Sequence, residues 1–114
     1  MSGIHKVEEK IERISYFMYI VYQKFTVEDG QADQLVKTLA NRKVLTEQDG
    51  FIDAEILKNE EDKNVVGIIA KWESKDAWKA WENTNAREEA GEEDPVNIKE
   101  TVTDRYEVVG KLNK

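Results

Sequence analysis

The chain has 114 residues, enough for one domain with a single modest core, and 39% hydrophobic with 9% aromatic content sets it apart from disordered sequences. Its 24 acidic and 17 basic residues leave a formal charge of −7 with no basic cluster, which argues against nucleic acid as a partner. Having no cysteine removes disulfides, zinc–thiolate sites and thiol nucleophiles; a single histidine, His5, removes multi-histidine metal sites, and its place in the first 15 residues, with no serine–aspartate pair evident around it, leaves no Ser-His-Asp arrangement expected.

The first 15 residues place Ile4, Val7, Ile11 and Ile14 at three- and four-residue steps among Glu and Lys. That is one apolar seam on a solvated helix, an amphipathic arm that docks on its own domain or on a partner. "MSGIHKVEEKIERI" lacks the apolar stretch of a secretory signal, and no apolar run in the chain approaches the roughly 20 residues that cross a bilayer. No membrane association and a cytoplasmic location are therefore expected.

"YFMYIVYQKFTV" (16–27) is dense in aromatic and branched residues and predicts the first strand, closed by the turn "EDG" (28–30). Ala32, Leu35, Val36, Leu39 and Ala40 recur at helical spacing, predicting one helix over 31–45 before the Asp49-Gly50 turn. "FIDAEILK" (51–58) alternates, with Ile52, Ala54 and Ile56 on one side and Asp53 and Glu55 on the other. The polar loop "NEEDKN" then leads to a third strand, "VVGIIAKW" (65–72), and Ser74 caps a second helix running to about residue 82. A short helix over 85–90 is expected next. "VNIKETVTDRYEVVG" (96–110) predicts the last strand, with Ile98, Val102, Tyr106 and Val108 on one face.

The order β-α-β-β-α-β defines an α+β class: a ferredoxin-like split βαβ with a four-stranded antiparallel sheet and two helices on one face, covering residues 16–110. Strand 3 is apolar on both parities, Val65 and Ile69 against Val66, Ile68, Ala70 and Trp72, and strand 1 shows the same pattern. Helices cover only one face, so the other needs a second layer. A second copy of the sheet, giving a two-fold homodimer, is the expected cover; the N-terminal arm folding across is the rival.

"AKWES", preceded by "QKFTVEDG" and "DGFIDAEIL", resembles the antibiotic biosynthesis monooxygenase (ABM) superfamily of dimeric α/β barrels, over roughly residues 16–110. The resemblance implies a homodimer with an apolar, aromatic-walled pocket for a small hydrophobic or aromatic ligand. Its cofactor-independent branch, which oxidises polyketide phenols to quinones, carries a tryptophan at the position of Trp72 and a tyrosine at that of Trp78, and an asparagine where this chain has Ile68. The haem-degrading branch carries a tryptophan at the position of Trp81, an axial histidine where this chain has Gly91, and an asparagine where it has Val21. Three readings follow: a cofactor-independent monooxygenase acting on a small aromatic or polycyclic phenol, a haem-binding or haem-degrading relative lacking the usual histidine, and a non-catalytic dimeric binding module.

The candidate pocket residues are Trp81, Trp78, Trp72, Tyr22 and Asn85, with Tyr19, Gln23, Tyr106, Asn83 and Arg87 as further polar groups. Trp78 and Trp81 form with Ala77 the stripe by which any helix packs on a sheet, and Trp72 ends a buried strand, so each also serves the core. Two large indoles on one short helix exceed what packing alone requires. No metal site is expected: "REEAGEEDP" (87–95) lacks calcium-loop spacing and reads as solvated surface, and His5 as a solvated arm residue.

Overall fold

The computed structural model describes residues 18–84 and 96–114. The expected arm (1–15), the short helix over 85–90, Asn85 and Arg87 lie outside the described residues. In β1 (Tyr19–Val27), Tyr19, Val21, Phe25 and Val27 are buried on one face, while Ile20, Tyr22, Lys24 and Thr26 are half-buried on the other. This strand is interior. It pairs antiparallel with β3 (Val65–Trp72) and β4 (Ile98–Glu107), and β2 (Phe51–Lys58) pairs antiparallel with β3, giving the order β2-β3-β1-β4. The helices lie on the face of Val21 and Val66, completing the ferredoxin-like α+β arrangement.

Three local features depart from the sequence pattern. The single helix expected over 31–45 is two: α1 (Ala32–Ala40) and α2 (Lys43–Thr46). Asn41 ends α1 by donating its backbone N–H and its side-chain amide to the Lys37 carbonyl, the latter at 2.9 Å, and Arg42 then turns the chain at ψ 76°. Leu45 keeps its place in the core across the break, so apolar spacing could not reveal it. In β2, Phe51 opposes Trp72 and Asp53 opposes Lys71, leaving Ile52 as the extra residue of a bulge, exposed rather than in line with Ala54 and Ile56. In β4 a second irregularity places Ile98 opposite Val27 on the helix face, whereas Val102 and Tyr106 oppose Lys24 and Ile20 on the other. Ile98 is therefore not on the face expected for it.

The last long helix, α3 (Lys75–Glu82), starts where Ser74 Oγ accepts the Ala77 N–H at 3.1 Å, with Asp76 in the electropositive first turn. Its seat depends on Gly50. That residue has φ 82°, its carbonyl accepts the Glu73 N–H at 2.8 Å, and a Cβ there would collide with the Ala77 methyl.

Two clusters fill the space between helices and sheet. Under α1, Phe25, Val27, Leu35, Leu39, Val66 and Ile68 pack together, with Val27, Leu35 and Val66 wholly buried. Under α3 the cluster is aromatic: Tyr19, Trp72, Trp78 and Trp81 with Val21, Leu45 and Ala70.

Candidate functional site

Where the two clusters meet, they leave a cavity of about 460 Å³. The sheet forms its floor through Val21, Gln23 and Phe25 of β1 and Ile68, Ala70 and Trp72 of β3, all on the same strand parity. Trp78 and Trp81 of α3 and Leu45 of α2 supply the helical wall, Arg42 stands at the helix break, and Val96, Ile98 and Thr101 close the β4 side. This size falls within the range of small-ligand sites.

The indoles are held in place by one another's neighbours. Trp78 meets Tyr19 at 5.7 Å between ring centroids and lies 5.4 Å from the Arg105 guanidinium, a cation–π contact across from β4. Phe51 meets Trp72 edge-on at 5.4 Å, so the ring is fixed from the β2 side. Trp72 is 1% exposed, and its indole N–H is buried with no acceptor among the described residues. An unpaired buried donor costs about 1–3 kcal/mol, and with almost no accessible surface at this nitrogen an acceptor reaches it only where the surrounding rings give way.

Arg42 brings the one charge to the described lining. Gln23 adds an amide, whose nitrogen reaches the Thr103 hydroxyl at 3.3 Å, and Thr101 adds a hydroxyl. Among the described residues, the one carboxylate held below its ordinary range is Asp33, where the hydrogen bond and charge of Lys58 at 2.8 Å favour the ionised form; it is not part of this lining. Among the described residues no group of three or more His, Cys, Asp or Glu side chains could hold a metal ion. No helix of the described residues is long and apolar enough to cross a membrane.

Of the candidate residues, Trp72, Trp78 and Trp81 come together at the cavity, as does Gln23. Tyr22 does not. Strand alternation turns it to the opposite face of the sheet, where its ring lies across Gly67: a Cβ there would come within 2.9 Å of Tyr22 Cε1. Tyr106 is exposed on that same opposite face, Asn83 is exposed at the end of α3, and Tyr19 is buried beneath Trp78. Arg42 was not among the candidates. A cation three residues from Leu39 and three from Leu45 shares their helical face, but within a continuous helix it would read as a surface residue at the edge of the stripe.

A fold of this class with an aromatic-walled cavity between α3 and the sheet matches one family model, antibiotic biosynthesis monooxygenase, over residues 18–93. The chain belongs to that family. It is 33% identical over 72 residues to the haem-degrading monooxygenase HmoA of Bacillus subtilis (strain 168), 60% of this chain and 66% of that protein. It thus spans just under two thirds of that relative's length. A haem-degrading monooxygenase of Shouchella clausii (strain KSM-K16) is 35% identical over 75 residues, 64% of this chain and 70% of its own.

Among solved structures, a Bacillus cereus protein provisionally assigned as an antibiotic biosynthesis monooxygenase superposes with a TM-score of 0.70 at 26% identity, covering 86% of this chain and 99% of its own. SnoaB, a cofactor-independent oxygenase of Streptomyces nogalater, superposes with a TM-score of 0.72 at 16% identity, covering 86% and 99%. The second likeness is one of fold alone.

Haem, which the curated relatives bring into view, requires an axial ligand to iron. The described lining contains no histidine, cysteine, methionine or tyrosine. Gly91 carries no donor atom in its side chain, and Val21, at the other family position, lies in the cavity floor as a hydrocarbon. The described residues therefore do not fit an iron-ligating site.

Proposed function

We propose that this chain is a cofactor-independent monooxygenase of the ABM type, acting on a small aromatic or polycyclic phenol held between α3 and the sheet. The observation that carries the reading is the pairing of three indoles around the cavity with one buried, unpaired N–H, that of Trp72. Flat apolar walls suit a fused-ring ligand, and the indole N–H suits its oxygen.

In this reading the phenol loses its proton and the phenolate donates electrons to dioxygen. A carbon–oxygen bond forms at the para carbon, the second oxygen leaves as water, and the ring becomes a quinone. The protein's part is to exclude water, hold the ring and offer hydrogen-bond donors to the anion. Asparagine is absent at the family position occupied by Ile68, a buried lining residue, so Trp72 and Arg42 carry the polar contacts.

The same reading includes a homodimer. The sheet face away from the helices carries Ile20, Tyr22, Val65, Ile69, Val102 and Tyr106, more hydrocarbon than a solvated face normally shows. Light scattering should give twice the mass of the 13.2 kDa chain; a monomer at working concentration would remove this part.

The test of activity is oxygen uptake with a panel of polycyclic phenols and quinols, comparing the wild type with a Trp78→Ala, Trp81→Ala variant. Equal background rates would leave a binding module. The haem-degrading reading has the two curated relatives in its favour. Haemin titration separates it: a Soret band that shifts and saturates at one equivalent supports it, and a featureless response removes it.

A further inference from the structure

We infer that the segment following β4, residues 109–114, is exchanged between two copies of this chain. Each segment adds along the β2 edge of the other copy, with Leu112 in the apolar groove beside that edge and Lys111 against its acidic outer side. The inference rests on the homodimer proposed above, and it does not depend on the ligand or the chemistry of the cavity.

The last backbone bond tying this segment to its own sheet is donated by the Val108 N–H to the Met18 carbonyl, at 3.0 Å. Beyond it Val109 is 75% exposed and Leu112 fully exposed, so the chain's own surface covers neither. The groove lies on the far edge of the sheet. Among the described residues β2 pairs with β3 alone, which leaves alternate N–H and C=O groups pointing outward. Beside this edge α1 and α2 leave a groove of about 380 Å³, with Leu39, Leu45, Phe51, Ile52 and Ile56 in its lining. A bulge commonly blunts a free edge, but the one at Ile52 turns an apolar side chain outward next to the groove.

Side-chain parity and charge both fit. In an extended chain residues 109 and 111 point to one side and residue 112 to the other. The β2 edge has the same division: the groove is on the helix side, and Asp53 and Glu55 are on the outer side, neither in an ion pair among the described residues. Glu55 stands opposite Ile69, with no basic residue across from it. Residues 109–114 hold two lysines and no acid, in a chain of net charge −7. An added strand of this kind draws affinity from backbone bonds and specificity from alternate side chains.

Symmetry supplies the route. A two-fold axis along the strands, between two packed outer faces, sets β4 of one copy over β2 of the other and keeps each sheet end with its like. Segment and groove share one end: β4 finishes with Glu107 opposite Tyr19, and Tyr19, Trp72 and Phe51 are successive partners across the sheet there. Packed sheets lie about 10 Å apart, and six extended residues reach about 20 Å.

The chain has no cysteine, so introduced thiols report without background. Full chains carrying Leu112→Cys and full chains carrying Ile52→Cys are mixed and treated with a short bis-maleimide; a covalent product with one chain of each kind is expected. Asp29→Cys, in the turn at the other end of the sheet, replaces Ile52→Cys as the control and should give little product. Sedimentation equilibrium gives the second readout. Deleting residues 109–114 should weaken the dimer about tenfold or more, the range of one large aliphatic side chain losing its cover. Lys111→Glu should weaken it about two- to fivefold at low salt, and Glu55→Lys in the same chain should restore it.

A dimer whose affinity survives the deletion, or a mixed product no greater than the Asp29→Cys control, overturns the exchange and leaves the packed outer faces standing. A full chain that stays monomeric removes the homodimer and the exchange together.

Discussion

The core under α1 and the core under α3 share one sheet face yet are built differently. Under α1 the side chains are, apart from Phe25, small or branched aliphatics, and Val27, Leu35 and Val66 have no exposed surface. Under α3 the cluster relies on three indoles and a phenol, which are too large and too rigid to interdigitate fully, and the cavity opens along the seam. Branched aliphatics fill volume efficiently, whereas broad flat rings wall it. One half of the molecule is therefore scaffold, and the other half trades packing for a space.

Removing packed volume on the scaffold side should give the largest effect. Leu35→Ala creates a hole where neighbours cannot collapse, and a loss of about 3–5 kcal/mol in unfolding free energy is expected. Denaturant melts measure it. Ligand affinity per folded molecule should be unchanged, because Leu35 is not in the cavity lining. A loss below about 1 kcal/mol would mean the α1 side is as loosely filled as the other.

Trp81→Ala sharpens the contrast from the other side. Truncating a fully packed tryptophan costs about 3–5 kcal/mol, but one ring face here borders the cavity, so less is lost. An expected cost under about 3 kcal/mol, smaller than that of Leu35→Ala despite the larger side chain, comes with a clear fall in aromatic-ligand affinity. If stability falls by the full amount and binding is untouched, Trp81 belongs to the scaffold and the division between halves is wrong.

Much of this division was legible in the chain itself. Element order, the strand parities of β1 and β3 and the Ser74 cap follow from local residue type and spacing, and the tryptophans of "AKWESKDAWKAWENT" mark the wall of the cavity. What escaped was decided by single-residue backbone events. The break at Asn41-Arg42 keeps Leu45 in phase and so leaves no trace in the apolar period, yet it brings Arg42 to the site. The bulges at Ile52 and beside Ile98 each shift parity by one, which moved Ile98 onto the helix face. Tyr22 was proposed for the pocket because it is polar and aromatic; its parity, opposite to Val21 and Gln23, already assigned it to the other face.

A smaller effect isolates one atom. Trp72→Phe keeps a ring against Phe51 and deletes the buried N–H. The packing lost with the second ring is offset by removal of an unpaired donor, so stability should move by no more than about 1 kcal/mol. Affinity for an oxygen-bearing aromatic should fall about five- to tenfold, with none for the parent hydrocarbon. If hydrocarbon and phenol lose affinity equally, the indole acts through shape alone.

The smallest effect lies on the scaffold surface and tests whether electrostatics distinguishes the halves. Asp33 and Lys58 meet at 2.8 Å, tying the start of α1 to the end of β2, and the pair is solvent-exposed. Since Lys58 lowers the Asp33 pKa in the folded state, the pair's stabilisation is complete above the carboxylate's unfolded pKa and disappears as pH falls through its lowered folded value. Exposure and salt screening keep the effect small. Comparing wild type with Asp33→Asn across that acidic range at low salt, the two melting curves should converge as pH drops, while ligand affinity at neutral pH stays equal. A difference that persists at the acidic end would mean Asp33 acts through the first turn of α1 rather than through Lys58, since asparagine there would alter the helix start at every pH.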